Sequence, residues 1–205
     1  MPKIAVLASG SGSILASIIE HALPVSLVLA DRKCKALEIA ETAGIPTELV
    51  DRRDFGWQGK GSQWDRAGFT YTVAVVLNSY GIELAPMAGF MTVLDSSIFT
   101  DFGGNILNIH PALLPFFKGD NAVGDALAAY KRHDIPHTGS TVHIATERLD
   151  DERWIIRQVV VPIFADDSEE VLHERIKVEE RILYPAVLRD ILDGVINLSE
   201  IKEQS

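Results

Sequence analysis

The chain has 205 residues, 47% of them hydrophobic, and its 19 basic and 29 acidic side chains give a net charge of −10 at pH 7. This length and apolar content predict one packed domain over residues 1–205 rather than a disordered chain. The acidic balance argues against a nucleic-acid partner, and no apolar run is long enough to cross a membrane. The single Cys34 excludes an internal disulfide framework and favours a reducing, cytoplasmic compartment.

The first half of the chain alternates apolar strands with helices, which predicts a parallel sheet that helices cover on both faces. The predicted strands span 3–8, 25–30 and 46–50, and the helices between them begin near Ile14 and at 35. Residues 51–64 are polar and rich in Gly, Trp and Gln, which predicts a surface loop. Residues 65–80 are predicted to form a helix.

The second half has less helix between its strands, so we expect some antiparallel pairing there. Strands are predicted over 82–88, 105–109, 138–145 and 154–162. Helices are predicted from Asp95, over 120–132, and from a cap at 167–170 to about Tyr184. The fold class that follows is α/β, with a Rossmann-like, mostly parallel central sheet, helices on both faces and some antiparallel pairing in the C-terminal half.

The first chemical feature is the turn S-G-S-G-S-I at 9–14, between a strand and a helix. Its glycines permit close backbone approach, and the N–H groups of the following helix suit a phosphate. A dinucleotide site is an alternative, because Asp31 ends the second strand where a ribose-binding acid is expected. Leu15 is too large for the third glycine of that fingerprint, and a purely structural turn is a further alternative.

The second feature is N-I-H-P-A-L-L-P at 108–115. Asn108 and His110 lie two apart on an extended segment, so their side chains share one face. Pro111 ends the strand and puts the pair at the carboxyl edge of the sheet, where open α/β folds bind ligands. An amide donor beside an imidazole can bind an oxyanion and move a proton. A structural histidine at a turn is the alternative.

The third feature is a set of polar residues within 137–153. His143 lies in an alternating strand and is interpreted as a sheet histidine. Asp150 and Asp151 follow in a loop, where a carboxylate could orient His110 and raise its pKa, and a solvated acidic turn is the alternative. The histidines lack the close spacing of zinc ligands, so no metal site is predicted.

These motifs occur in one order along the chain: S-G-S-G-S at 9–13, A-G-F-M at 88–91, N-I-H-P-A-L-L-P at 108–115, T-G-S-T-V-H at 138–143 and L-D at 149–150. That order resembles the phosphoribosylglycinamide formyltransferase family, the folate-dependent enzymes of purine synthesis. The resemblance covers nearly the whole chain. It implies transfer of a formyl group from the co-substrate 10-formyltetrahydrofolate to the amine of glycinamide ribonucleotide, with no metal.

The resemblance also implies roles for individual residues. Asn108 would donate to the tetrahedral oxyanion, and protonated His110 would stabilise it and transfer a proton. Asp150 would hold His110 oriented and charged. The ribonucleotide would be bound by Gly12, Ser13, Ile14, Lys177 and Glu180. The folate would be bound by Arg66, Met91, Thr92, Val93, Leu94, Asn108, Thr146, Glu147, Arg148, Leu149 and Asp150.

The sequence departs from the family pattern at three places. Ile14 stands where the family usually has Asn, and Thr92 stands where it usually has Arg. The glycine that usually follows the catalytic aspartate is missing, and we assign that role to Asp150 rather than Asp151 because the preceding strand sets its register. These departures motivate two alternatives: another acceptor, either a different amine or water, and a non-catalytic nucleotide- or folate-binding protein. A monomer and a homodimer both remain open.

Overall fold

The computed structural model describes residues 1–102 and 105–203. Within these ranges, no helix is both long enough and apolar enough to span a bilayer. The chain divides into two compact units, Met1–Leu107 and Asn108–Ser205. A single domain over residues 1–205 stays a prediction.

The first unit alternates strands and helices. Its strands are β1 (Ile4–Ala8), β2 (Val25–Ala30), β3 (Thr47–Leu49) and β4 (Ala85–Met87). Its helices are α1 (Ser13–Glu20), α2 (Lys35–Thr42), α3 (Arg66–Ser79) and α4 (Ser97–Asp101). A further strand, β5 (Ile106–His110), begins in this unit and ends in the second.

Parallel pairing orders these strands as β3-β2-β1-β4. All five residues of β1 are fully buried, as expected for a strand that helices cover on both faces. The chain order reverses at β1, between β2 and β4. Open α/β sheets bind ligands outside the carboxyl ends of the strands at such a point, and the S-G-S-G-S turn begins there.

Helix α3 forms although Thr and Val side chains, which weaken helices, occupy many of its positions. Asp65 caps its first turn by accepting a hydrogen bond from the Gly68 N–H at 2.8 Å. Phe69, Val73 and Leu77 are fully buried, so tertiary packing outweighs intrinsic propensity. The helix predicted in this part of the chain is confirmed.

Strand β4 is shorter than the strand predicted over 82–88. Pro86 lies at its centre and has no N–H to give to a neighbouring strand. The Ala88 N–H, just beyond the strand, donates to the Leu7 carbonyl of β1 at 2.8 Å. The proline therefore limits the regular part of the strand while its neighbours keep it in the sheet.

The segment 51–64, predicted as a surface loop, is mostly exposed or half-buried, but its first two residues are buried. It begins with a 3-10 turn whose first residue, Arg52, has a side chain that is only 9% exposed. The rings of Phe55 and Trp64 pack edge-on against Phe69 of α3, with centroid distances of 5.7 and 5.5 Å. Aromatic packing therefore anchors a segment whose polar composition indicated solvent exposure.

The second unit contains the end of β5 and an antiparallel strand pair. Its further elements are α5 (Ala122–Lys131), β6 (His137–Ile144), β7 (Ile155–Pro162), α6 (Glu169–Leu192) and α7 (Leu198–Glu203). β6 and β7 pair antiparallel. The strand order is β3-β2-β1-β4-β5-β6-β7, with helices on both sides. The predicted α/β class, mostly parallel with antiparallel pairing in the C-terminal half, is confirmed.

Helix α6 begins where the sequence predicts and ends later. Ser168 caps it by accepting a hydrogen bond from the Val171 N–H at 3.3 Å. The predicted end near Tyr184 is wrong: the helix continues through Pro185 and ends at Leu192. A proline inside a helix costs about 3 kcal/mol, and the complete burial of Val187 and Leu188 beyond it offsets this cost. The short helix α7 was not predicted.

The turn after β1 requires glycine at one of its two glycine positions. Gly12 has a φ of +72° and precedes α1 as its cap. A Cβ atom there would lie 2.9 Å from both Ala36 Cα and Ile39 Cδ1 of α2. Gly10 has nothing within 4 Å of its Cβ position. The turn therefore needs glycine at Gly12, where both the left-handed backbone and the lack of space exclude a side chain.

We expect Gly12→Ala to lower the free energy of unfolding by about 1–3 kcal/mol, because the new methyl group adds backbone strain and a steric clash. The matched control is Gly10→Ala, which places the same group in open space and should change stability by less than about 0.5 kcal/mol. Urea unfolding followed by circular dichroism compares the two variants. Equal losses of stability would contradict the close approach of the turn to α2.

Candidate active site

Four polar side chains of the second unit, Asn108, His110, His143 and Asp150, form a cluster beside β5 and β6. The Asp150 Oδ1 atom lies 3.4 Å from His110 Nδ1 and 3.6 Å from His143 Nε2. His110, His143 and Asp150 are 4%, 2% and 7% exposed. The structure thus brings the three residues predicted to be catalytic into one largely buried group.

Both ring nitrogens of His110 face acceptors. Nε2 lies 2.8 Å from the Phe117 carbonyl oxygen, which can only accept, and Nδ1 faces the Asp150 carboxylate. A neutral imidazole has one N–H donor, whereas the imidazolium has two. The contacts of His110 therefore suit its protonated form, which can donate a proton.

Burial and charge act on His110 in opposite directions. Burial lowers the pKa of His110 below its ordinary value, and this effect exceeds the opposing effects of Asp150 and the Phe117 carbonyl. For Asp150, burial raises the pKa, but the two histidines and the Gly119 N–H together bring it below its ordinary value. Asp150 is therefore charged at neutral pH and, as expected, favours the imidazolium form of His110. The effect of burial on the pKa of His110 is nevertheless larger than the effect of Asp150.

His143 orients the Asn108 amide, a role that sequence reasoning missed. His143 Nδ1 lies 3.0 Å from the Ile144 carbonyl oxygen, so Nδ1 carries the proton in the neutral ring. Nε2 is then an acceptor, and Asn108 Nδ2 donates to it over 3.2 Å. One N–H of the amide is thereby engaged, which leaves the second for a ligand oxygen. The available signal was the place of His143 near the end of the strand next to β5.

A loop after β5 holds the His110–Asp150 pair from the other side. Its Phe117 carbonyl accepts from His110, and its Gly119 N–H donates to Asp150 Oδ2 at 2.8 Å. Phe117 and Asp150 have φ values of +54° and +50°, in the left-handed region that glycine favours. Such backbone costs about 1–3 kcal/mol per residue and occurs preferentially at functional sites.

The neighbouring carboxylate, Asp151, makes different contacts. Two nitrogens of Arg153 bind it at 2.6 and 3.0 Å, and this hydrogen bonding lowers the pKa of Asp151 to about 2. Glu152, next in the chain, forms an ion pair with Lys118. Asp150 is therefore the carboxylate that faces the histidine. The loop turns without glycine because Asp150 itself adopts the left-handed conformation, which Asp tolerates better than most residues.

The turn before α1 offers backbone donors in the first unit. No side chain caps α1, whose N-cap is Gly12, so the first N–H groups of the helix point to ligand or solvent. The Ile14 side chain is buried, so Ile14 can offer only its N–H, and Ser13 is half-buried. Ser9 Oγ accepts from the Met91 N–H at 2.8 Å and ties the turn to the predicted folate segment.

Lys177 and Glu180 of α6 make separate contacts. Lys177 Nζ lies 2.7 Å from Glu174 Oε1 at the surface, whereas Glu180 is 5% exposed and burial raises its pKa. Ser140 Oγ lies 3.1 Å from Glu180 Oε1 and 3.0 Å from the His110 carbonyl oxygen. The Ser140 hydroxyl can donate to either oxygen, so it connects the Glu180 carboxyl to the backbone carbonyl of His110.

The predicted folate segment of the first unit borders a cleft of about 240 Å³. Met91 and Val93 are exposed, whereas Thr92 and Leu94 are buried. The cleft is lined by Arg52, Trp57, Trp64, Arg66, Met91, Thr92 and Val93. Arg66 and most of the segment are therefore brought together, while Leu94 packs in the core. Sequence reasoning missed the three lining residues that belong to 51–64, because their composition indicated a solvated loop.

The remaining predicted folate residues belong to the loop that follows β6 in the second unit. Glu147, Arg148 and Leu149 are exposed. The Thr146 hydroxyl donates to the Arg148 carbonyl at 3.0 Å and closes a short turn. This loop leads directly to the left-handed Asp150, so its side chains and the carboxylate are held by one piece of backbone.

Asp31, the acid that suggested a dinucleotide site, is fully buried and already has partners. The Thr92 hydroxyl donates to its Oδ2 atom over 2.5 Å, and Arg32 Nε lies 3.0 Å from Oδ1. Arg52 Nη1 lies 3.5 Å from Oδ2. A ribose hydroxyl would have to displace these groups, so the position of Asp31 argues against the dinucleotide alternative.

We expect Asp150→Asn to lower the pKa of His110, because it removes the negative charge that favours the imidazolium. An NMR titration of the His110 ring measures this pKa in each protein. Asp151→Asn is the matched control and should leave the pKa of His110 unchanged, since Asp151 pairs with Arg153. An identical His110 titration in Asp150→Asn and the wild-type protein would rule out the assigned contact.

We expect Glu180→Gln to stabilise the protein increasingly as the pH rises. Burial raises the pKa of Glu180 above its ordinary value of 4.5. Above pH 4.5, Glu180 therefore ionises in the unfolded chain before it ionises in the folded protein, and the free energy of unfolding falls. Glutamine does not ionise, so the variant escapes this loss of stability. Below pH 4.5 the two proteins should be alike. Urea unfolding across this range tests it, with Glu179→Gln on the same helix as control. A parallel pH dependence of Glu180→Gln and wild type would refute the raised pKa of Glu180.

Comparisons with known proteins agree on one family. The formyl transferase family model matches residues 2–188. Phosphoribosylglycinamide formyltransferase of Mycobacterium tuberculosis is 39% identical over 91% of this chain and 83% of its own length. The human trifunctional purine biosynthetic protein adenosine-3 is 34% identical over 97% of this chain, which spans only 19% of that protein.

Solved structures give the same result. Glycinamide ribonucleotide transformylase 1 from Symbiobacterium toebii superposes with a TM-score of 0.83 at 36% identity, covering 95% of this chain and 89% of that one. Phosphoribosylglycinamide formyltransferase from Streptococcus pneumoniae superposes with a TM-score of 0.79 at 31% identity, and the match covers 94% of this chain and 99% of that one. The family resemblance predicted from the motifs is confirmed, and the chain belongs to the formyl transferase family.

Proposed function

We propose that the protein transfers a formyl group from 10-formyltetrahydrofolate to the amine of glycinamide ribonucleotide. The observation that carries this proposal is the buried group of Asn108, His110 and Asp150, which combines an oriented amide donor with a histidine suited to protonation. Relatives named for this reaction match nearly the whole chain. The co-substrate supplies an activated formyl group, so the proposed reaction uses no metal.

In the proposed mechanism the neutral amine attacks the formyl carbon, and the carbonyl oxygen becomes an oxyanion. Asn108 donates its second N–H to that oxygen, and the positive charge of protonated His110 stabilises it further. The carbon–nitrogen bond to the folate then breaks. The proton lost by the attacking amine replaces the one that His110 gives to the leaving folate nitrogen, and Asp150 keeps the imidazolium oriented throughout.

We assign the substrates to two sets of residues. The ribonucleotide phosphate meets the first N–H groups of α1 at Gly12, Ser13 and Ile14. Lys177 and Glu180, which contact Glu174 and Ser140 in this structure, are proposed for the same substrate. Arg66 with Met91–Val93, and Thr146–Asp150 with Asn108, serve the folate. Ile14 contributes a backbone donor alone, because its side chain is buried.

The cellular setting belongs to the same proposal. Both substrates are small metabolites, and the single Cys34 fits a reducing compartment, so we place the reaction in the cytoplasm. We expect a monomer or a homodimer, with neither nucleic acid nor a membrane as partner. Size-exclusion chromatography with light scattering decides between the two oligomeric states.

The decisive experiment incubates the purified protein with 10-formyltetrahydrofolate, with and without glycinamide ribonucleotide, and measures the products by mass spectrometry. Formylglycinamide ribonucleotide, formed only when both substrates are present, is the expected result. Formate released without the ribonucleotide would favour water as the acceptor. Tight binding of both ligands without product would favour a non-catalytic relative.

We expect Asn108→Ala to lower kcat by about 10²–10³-fold, because it removes one donor to the oxyanion. His110→Ala should lower it at least as far. His137→Ala is the control, since His137 is exposed at the start of β6 and should keep wild-type activity. Wild-type turnover by either of the first two variants would contradict the assigned site.

A further inference from the structure

The cleft of the first unit has a composition that stands out from the rest of this acidic chain. Among the described residues, those lining it include two arginines and two tryptophans and no acid, in a chain of net charge −10. Its volume of about 240 Å³ is below the roughly 300–1,000 Å³ of pockets that enclose whole ligands. The cleft is therefore suited to one anionic, aromatic end of a ligand.

Arg52 is held rigidly at the base of this cleft. Its Nη1 atom donates to Thr92 Oγ1 at 3.2 Å and lies 3.5 Å from Asp31 Oδ2. Asp31 also pairs with Arg32, so two cations share one carboxylate and a net positive charge remains. Because both contacts use Nη1, the other guanidinium nitrogens of Arg52 keep their capacity to donate to a ligand.

The side chains of Trp57 and Trp64, which form two walls of the cleft, are each held by a neighbouring side chain. The Arg52 Cζ atom lies 3.5 Å from the centroid of the Trp57 ring, so the guanidinium covers one face of the indole. Trp64 packs edge-on against Phe69 of α3 at 5.5 Å. A wall that is held in place before the ligand arrives loses little conformational entropy on binding, which favours affinity.

We propose that Arg52, Trp57 and Trp64 complete the folate site, with the tryptophans stacking on the benzoyl ring of the co-substrate and Arg52 joining Arg66 in attracting its glutamate carboxylates. This inference rests on the proposed function, because Arg66 and Met91–Val93 share the cleft. An aromatic ring joined to carboxylates is the part of a folate that matches two indoles and two guanidinium groups. Arg52 also supplies the positive charge that Thr92, its hydrogen-bond partner, does not carry.

The first test is isothermal titration with p-aminobenzoylglutamate, a fragment that needs no catalysis. Trp57→Ala should weaken its binding by about 10- to 100-fold, the range that stacking of one ring provides. Tyr71→Ala is the matched control, because Tyr71 is an exposed aromatic on α3 outside the cleft and should bind the fragment like wild type. Equal binding by wild type and Trp57→Ala overturns the inference, whether or not the protein catalyses formyl transfer.

The second test separates Arg52 from its neighbour. Arg52→Lys keeps the charge but loses the planar fork and the stacking, so the KM for formyl folate should rise about tenfold while kcat and the KM for the ribonucleotide hold. Arg53→Lys, at an exposed site that pairs with Asp51, should change neither KM. A rise in both KM values with a lower melting temperature would show a structural role and overturn the inference. If Arg52→Lys and Trp57→Ala both keep wild-type turnover and an unchanged KM for formyl folate, the proposed function is retained and the inference about the cleft is overturned.

Discussion

The burial of one charged carboxylate, Asp150, is the constraint on which the candidate site depends. A carboxylate that is 7% exposed persists in its charged form only if donors and positive charge surround it. Asp150 obtains them from the His110 imidazolium and the Gly119 N–H, and His143 Nε2 lies 3.6 Å from the same carboxylate. These groups come from β5, from β6 and from the loop after β5, so burying this charge draws separate segments of the second unit together. The left-handed backbone of Asp150 is the strain that this arrangement tolerates.

The first unit contains a second buried carboxylate with the opposite consequence. Asp31 is fully buried, and it is bound by Arg32, Arg52 and the Thr92 hydroxyl. At Asp150 the carboxylate makes a neighbouring histidine easier to protonate, whereas at Asp31 the cations exceed the carboxylate and leave positive charge beside a cleft. One side-chain type therefore favours the protonated form of a histidine in one unit and leaves positive charge beside a cleft in the other.

The elements that depend on local pattern could be predicted, and the contacts that depend on distant residues could not. Strand β2 has the predicted bounds, because a short apolar run between turns signals a buried strand. Asn108 and His110 share a face by strand geometry alone. The Gly119 contact of Asp150 joins residues far apart in sequence, and no local period reports it. Arg52 was missed for the same reason, since its polar segment does not reveal its contact with the distant Asp31.

The net charge of −10 argues against a nucleic-acid partner, yet both proposed substrates are themselves anions. Exposed charges are screened within about 8 Å at physiological ionic strength, so the acidic surplus at the surface matters little at a site defined by a few close groups. In the proposed function, the local balance of charge would govern binding: uncapped N–H groups at the start of α1, and arginines in excess over Asp31 beside the cleft. Thr92 stands where the family usually has an arginine, but Arg52 of a different segment donates a hydrogen bond to its hydroxyl. A positive charge therefore lies beside this position in the present sequence as well. The position of a charge in space, rather than its position in a motif, is therefore what the site has to preserve.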